Sequence, residues 1–237
     1  MFRYDRLKGL TILLALLMVV VFSAVAETDT SSLDELEKYT RANFNRYTYM
    51  DFLTACNEQK GWDFAREKAI YYHDNYPDNP DIAEGVLVYC DPFSEPERII
   101  EAGETMLRTC DLPVYSMDME IKPDEHEVGY YTLAYVTCAY AYYQVGDEEK
   151  LVGAGDWVIS YAGYNEEQFI NALSVADFVT GHFIRKGNDE KALFYARQVE
   201  ALLSEFGDQY PVIVEKFMPV YEITFIPILE KYAQSQE

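Results

Sequence analysis

The sequence predicts an all-α fold of antiparallel helix pairs, on three observations. A helix-stop-helix pattern occurs twice in succession between Tyr130 and Phe206: Gly146-Asp147-Glu148 follows one apolar-periodic run, and Gly187-Asn188-Asp189 follows the next, 41 residues later. Each glycine suits the left-handed position just past a helix end, and the acids after it suit the positive N-terminal end of the next helix. Gly163 and Gly207 then close the second helix of each pair, 44 residues apart. Four helices of about 17 to 22 residues joined by such short turns must pack as antiparallel neighbours. A spacing near 40 residues indicates a helical repeat array rather than one closed bundle.

The residues also carry a family resemblance. Ala139-Tyr140-Ala141-Tyr142-Tyr143-Gln144-Val145-Gly146-Asp147 resembles the end of the first helix of the tetratricopeptide repeat family. Gly187 through Ala201, with Lys191-Ala192-Leu193 and Tyr195-Ala196, resembles that family's turn and second helix. The segment Ala69-Ile70-Tyr71-Tyr72-His73-Asp74-Asn75-Tyr76-Pro77-Asp78-Asn79-Pro80 is similar to the join between repeats in exported bacterial members of the outer-membrane-assembly and Tol-Pal-associated type. The resemblance implies a tetratricopeptide (TPR)-like α-solenoid of antiparallel helix pairs, in a bacterial envelope setting.

Along the chain, residues 1–26 read as a secretory signal peptide: Arg3, Arg6 and Lys8, an apolar run from Leu10 to Phe22, then Ala24-Val25-Ala26. The expected location is therefore periplasmic or extracellular. The alternative is an uncleaved membrane anchor through residues 10–26, because the run approaches the roughly 18 residues that span a bilayer. Residues 27–42 form an N-terminal segment and the start of the first helix, with Ser32-Leu33-Asp34-Glu35 as a capping box. Helical spacing of Leu33, Leu36, Tyr39, Phe44, Tyr47 and Leu53 carries that helix to about Gln59, and Gly61 stops it. Residues 43–207 are the repeats. A second helix starts at Trp62 and ends at Pro77, Ile82 to Cys90 forms a short third, and Ser94 caps a fourth that runs to about Thr109. Leu112 to Pro123 is the one long connection. In residues 208–237, Pro211, Pro219 and Pro227 recur every eight residues, which predicts a kinked or broken helix packed on the last pair as a C-terminal cap.

Charge excludes several functions. The chain carries a formal net charge of -22, or -24 once residues 1–26 with their three basic residues and one acid are removed. Such a surface repels nucleic-acid phosphates and anionic lipid, so neither nucleic acid nor peripheral membrane is an expected partner. A protein or peptide segment is; the acids read first as a solvated helix exterior, and the functional alternative is attraction to a basic partner or to divalent cations. No catalytic constellation is present in the motifs: His126-Glu127 has Tyr130 where a zinc protease needs its second histidine. There is no Gly-x-Ser-x-Gly elbow, and Gly153-Ala154-Gly155 suits close helix packing better than a nucleotide loop. No metal or cofactor is expected. The acids Asp118, Glu120, Asp124, Glu125 and Glu127 read as a solvated helix start, and His182 as a hydrogen-bonded, partly buried histidine.

Of the four cysteines, Cys90 and Cys110 fall about 20 Å apart at opposite ends of a helix pair, leaving Cys56 and Cys90 as the best candidate bridge; four unpaired cysteines or at most one bridge is the favoured reading. Tyrosine is the remaining signal. Tyr131, Tyr135, Cys138 and Tyr142 share one stripe of a helix whose small residues Ala134, Thr137 and Ala141 permit close approach, with Tyr143 beside them. Tyr131, Tyr135, Tyr142 and Tyr143 are the candidate binding residues, since the first helices of such an array line its concave face; the competing reading makes them inter-repeat packing. The leading functional expectation is a non-enzymatic exported scaffold that binds a protein or peptide through an acidic, Tyr-rich concave surface. The alternatives are an exported polysaccharide-acting enzyme with paired carboxylates, and an architectural subunit of an envelope complex with an exposed apolar patch around Phe217 to Ile228.

Overall fold

The structure, a computed structural model, describes residues 32–116, 119 and 121–234, so the signal expected over residues 1–26, and Asp118 and Glu120, lie outside the described residues. Eleven helices and no strand are found among the described residues. None of these helices is long and apolar enough to cross a membrane. The chain divides into two compact units, one ending at Phe44 and the other beginning at Asn45. The first contains α1 (Leu33–Ala42), which opens on the expected capping box between Ser32 and Glu35.

The single helix expected through Gln59 is two: α1 ends at Asn43, and α2 (Arg46–Lys60) starts afresh. Asn45 explains the break. Its side chain accepts from the Thr48 N–H while the Thr48 hydroxyl bonds back to the Asn45 N–H, a second capping box that starts a new helix with no glycine or proline involved. The rest of the second unit comprises α3 (Trp62–Asn75), α4 (Pro80–Tyr89), α5 (Pro96–Leu107), α6 (Glu125–Val145), α7 (Glu148–Ser160), α8 (Glu166–Lys186), α9 (Asp189–Phe206), α10 (Pro211–Thr224) and α11 (Ile226–Gln234).

Two joints repeat almost atom for atom. Gly146 and Gly187 sit at φ 79° and 70°, and the next residue donates its N–H back across the helix end, Asp147 to Tyr142 O and Asn188 to Phe183 O, both at 2.9 Å. The same two residues then cap the following helix, Asp147 accepting from Lys150 N and Asn188 from Lys191 N. Gly207 closes α9 as expected, and does so in the right-handed region, at φ -59°. α7 is shorter than predicted, at 13 residues, and ends at Ser160 rather than at Gly163. The chain turns there because Tyr161 and Tyr164 donate their hydroxyls to the carbonyls of Pro113 and Pro123 in the long connection, at 2.6 and 2.7 Å. Glu95, not Ser94, precedes α5 and makes no cap; its carboxylate is drawn instead to Arg66. The proline-punctuated segment is broken as expected, with Pro219 inside α10 and a new helix from Ile226.

Each helix from α2 to α8 packs on its successor, α11 packs on α9 and α10, and the first members of the pairs also pack on one another: α2 on α4, α4 on α6, α6 on α8 and α8 on α10. α4 is the most enclosed, with every residue from Ile82 to Tyr89 buried. Its Ala83, Val86 and Leu87 share one core with Ile99, Ala102 and Met106 of α5 and with Ala134 and Ala141 of α6. Arg46 closes this row. Its guanidinium forks onto buried Glu84 with two 2.6 Å bonds and lies 4.2 Å from the centroid of the Tyr130 ring, so one side chain ties α2, α4 and α6 together. Removing a partner from such a pair strands a buried charge at a cost of about 3–5 kcal/mol.

The second members are joined differently, by a ladder of ion pairs: Asp74–Arg98 from α3 to α5, Glu104–Lys150 from α5 to α7, Glu148–Lys191 from α7 to α9, and Asp189–Lys231 from α9 to α11. These rungs are exposed and contribute only about 0–1 kcal/mol each, so they set register more than stability.

Close approach depends on glycines. A methyl at Gly85 would meet Leu53 Cδ1 at 2.6 Å, and one at Gly155 would meet Val179 at 3.1 Å, so Gly155 serves the close helix packing expected of it. At Gly103 the Cβ would fall 2.0 Å from Cys138 Sγ. Gly103→Ala is therefore expected to lose about 1–3 kcal/mol in urea denaturation by overpacking. In the Cys138→Ala background that penalty shrinks, because the obstructing sulfur is gone; equal penalties in both backgrounds would refute the contact as its cause.

Candidate functional site

The four candidate tyrosines all lie on α6 and face different neighbours. Tyr131, 8% exposed, donates its hydroxyl to Thr109 O at 2.8 Å. Tyr135 is half-buried and stacks on Trp157 of α7 with centroids 4.1 Å apart; burial, with Cys110 beside it, pushes its hydroxyl up to about 12. Tyr142 is buried and shares Glu104 Oε1 with Lys150, at 3.1 and 2.7 Å. These three therefore serve the packing of α6 on α5 and α7. Tyr143 alone faces the next first helix, α8, and keeps part of its ring in solvent.

Around Tyr143 the sequence builds a mixed aromatic and charged corner. Its ring meets Phe178 edge-on at 4.6 Å, and Phe178 in turn meets Tyr140 at 4.6 Å and Phe93 at 6.3 Å. The Arg185 guanidinium lies 5.0 Å from the Tyr143 centroid, and the His182 ring 5.5 Å. His182 is buried, as its apolar surroundings predict, and its Nε2 lies 3.3 Å from Glu148 Oε2. Glu148 also accepts from Lys186 and Lys191, both at 2.9 Å. Val145 and Ile184, near the C-terminal ends of α6 and α8, are 45% and 42% exposed.

The opposite ends of the same two helices are acidic. Asp124 caps α6 through the N–H groups of His126 and Glu127, which leaves both side chains exposed at a solvated helix start. Glu125 accepts from Asn165 Nδ2 at 3.0 Å, joining the N-termini of α6 and α8. Glu167 is raised from the ordinary carboxylate range by burial and then by the nearby charge of Glu125. Tyr115 of the long connection is buried against Tyr161 and Tyr164, both at 5.4 Å, so part of this connection is packed rather than solvated. The join at Asn75–Asp81 lines an open hollow of about 620 Å³, with Tyr130 donating to Pro80 O at 2.9 Å.

The candidate Cys56–Cys90 bridge is not formed: both residues are buried thiols, Cys138 is a third, and Cys110 is a half-buried thiol. Among the described residues, no three His, Cys, Asp or Glu side chains gather into a metal-binding group. Sequence reading missed Arg46, Glu84, Glu148 and Phe178. The buried position of Glu84 within an otherwise apolar helix was a readable signal; the partners of Glu148 were not, being 34 to 43 residues away.

Three cationic or hydrogen-bonding partners hold Glu148 well below the ordinary 4.5, at about 2, through hydrogen bonds from Lys186, Lys191 and His182. A depressed carboxylate contributes stability that is full above its unfolded value and lost as pH falls through its folded value. Glu148→Gln is thus expected to destabilise at pH 7, with the gap from wild type narrowing between pH 4.5 and 2 in urea titrations. A gap independent of pH would refute the ionic origin. Comparison with protein-family models, with curated proteins and with solved structures yields no match for this chain.

Proposed function

We propose that the protein is a TPR-like, non-enzymatic scaffold acting outside the cytoplasm, binding a basic protein or peptide segment along its row of first helices. The observation that carries this reading is the side-by-side packing of α2, α4, α6, α8 and α10, with the second helices laddered behind them. That arrangement supports a solenoid in which α10 and α11 act as the terminal cap. Two features support a basic partner: the net charge of -22, and the crowded acids Glu125 and Glu167 at one edge of the row. Of the four candidate tyrosines, Tyr143 is favoured as a ligand contact because its part-exposed ring faces α8 across Phe178.

Photo-crosslinking residues introduced singly at Val136 and Ile184, on first helices, are expected to trap a partner more efficiently than ones at Glu149 and Glu200 on second helices. Tyr143→Ala should reduce that yield, and Tyr142→Phe, which removes only a hydroxyl facing Glu104, should leave it unchanged. Equal yields from both helix rows would sink the proposal.

A second reading has one observation in its favour. A raised carboxyl with a second carboxylate near it, here Glu167 with Glu125, is a pairing that glycoside hydrolysis uses. On that reading, reducing-sugar release from polysaccharides is measurable and is abolished by Glu167→Gln; activity retained in the variant would remove Glu167 from the chemistry.

A further inference from the structure

α10 is among the most apolar helices of the chain, yet only Phe217 of its residues is buried. α4, of comparable character, buries eight consecutive residues. The difference lies in neighbours. α4 and α6 have a first helix on either side, whereas α10 packs on α8 with no further first helix beyond it among the described residues. Of the segment expected to be exposed, Phe217 and Phe225 turn inward at 6% and 0%, while Val212 and Ile223 stand 60% and 61% exposed. Val212, Pro219 and Ile223 are spaced by seven and four residues, so they form one stripe on the side opposite Phe217. Glu215 and Glu222, also seven apart, run along one border of it, and Lys216, one turn after Val212, stands on the other; all three are exposed, and neither glutamate has an ion-pair partner among the described residues.

We propose that this outer stripe of α10 docks an amphipathic helix of a partner protein whose apolar face carries lysine or arginine along the flank that meets Glu215 and Glu222. A helix is what covers the corresponding side of each earlier first helix, which argues for the shape of the occupant. Charge selects its chemistry. A second copy of this chain would bring a further -22 and its own Glu215 and Glu222 against the same border, whereas basic flanks complement it. The surface is separate from the one around Tyr143, so this inference goes beyond the scaffold reading and fails or holds independently of it.

The test uses the full chain and three fluorescent peptides of about 18 residues: a Leu/Lys amphipathic helix, the same composition scrambled, and a Leu/Glu amphipathic helix. By anisotropy, wild type is expected to bind the Leu/Lys helix at least about tenfold tighter than the other two. Val212→Asp with Ile223→Asp makes the protein more acidic, so attraction by bulk charge alone would strengthen binding; docking on the stripe predicts a loss of about tenfold or more. Glu215→Lys with Glu222→Lys should weaken the Leu/Lys helix and improve the Leu/Glu one. The equal charge change Glu149→Lys with Glu190→Lys should shift neither by more than about twofold. Circular dichroism and melting check that each variant folds. Undiminished binding of the Leu/Lys helix to the Val212/Ile223 variant overturns the proposal. So does a concentration-dependent dimer, seen by sedimentation, that the same variant abolishes, since a second copy would then fill the stripe.

Discussion

The structure depends most on the left-handed turn at Gly146 and again at Gly187. A residue with a β-carbon resists that conformation, so the chain either stops its helix there at a glycine or runs on. Stopping would be of little use if the next helix began in an arbitrary direction. The following Asp147 or Asn188 removes that freedom by closing the old helix with its N–H and opening the new one with its side chain. Two residues thus convert a continuous amphipathic helix into an antiparallel pair, and repetition of the device about 40 residues later converts a pair into a stack.

Two kinds of contact then hold pair to pair, and they differ in strength. The first helices are sealed by apolar packing and by the buried fork of Arg46 on Glu84, with small residues permitting approach closer than side chains normally allow. The second helices are linked across solvent by lysine or arginine to carboxylate, in contacts weakened by salt. Glu148 is the exception within the ladder. It collects two lysines and a buried histidine, and so reaches across α7, α8 and α9 at once.

What the sequence made legible was local. Glycine followed by a capping side chain, proline at the first helical position of α4, α5 and α10, and the breaking of the C-terminal segment all follow from backbone chemistry within four or five residues. The break at Asn45 was local too but lacked glycine or proline, and its capping box uses threonine where glutamate or glutamine is the familiar signal. Periodicity placed Tyr131, Tyr135 and Tyr142 on one stripe. It had no means of saying that α5 and α7 would cover that stripe, because a helical face is defined by what packs on it. The same limit hid the ladder, whose partners are 24 to 46 residues apart, and left the even number of cysteines uninformative.

The notch at Gly103 has a chemical consequence. Cys138 Sγ fills the space a side chain would occupy there, and its thiol points toward the carbonyl of Ile99 at 3.9 Å. Burial pushes that thiol up to about 12, so at neutral pH almost none of it is the thiolate that attacks oxidants and disulfides. A packing device that lets two helices touch therefore makes one thiol redox-silent while the fold is intact, and turns its reactivity into a reporter of local opening.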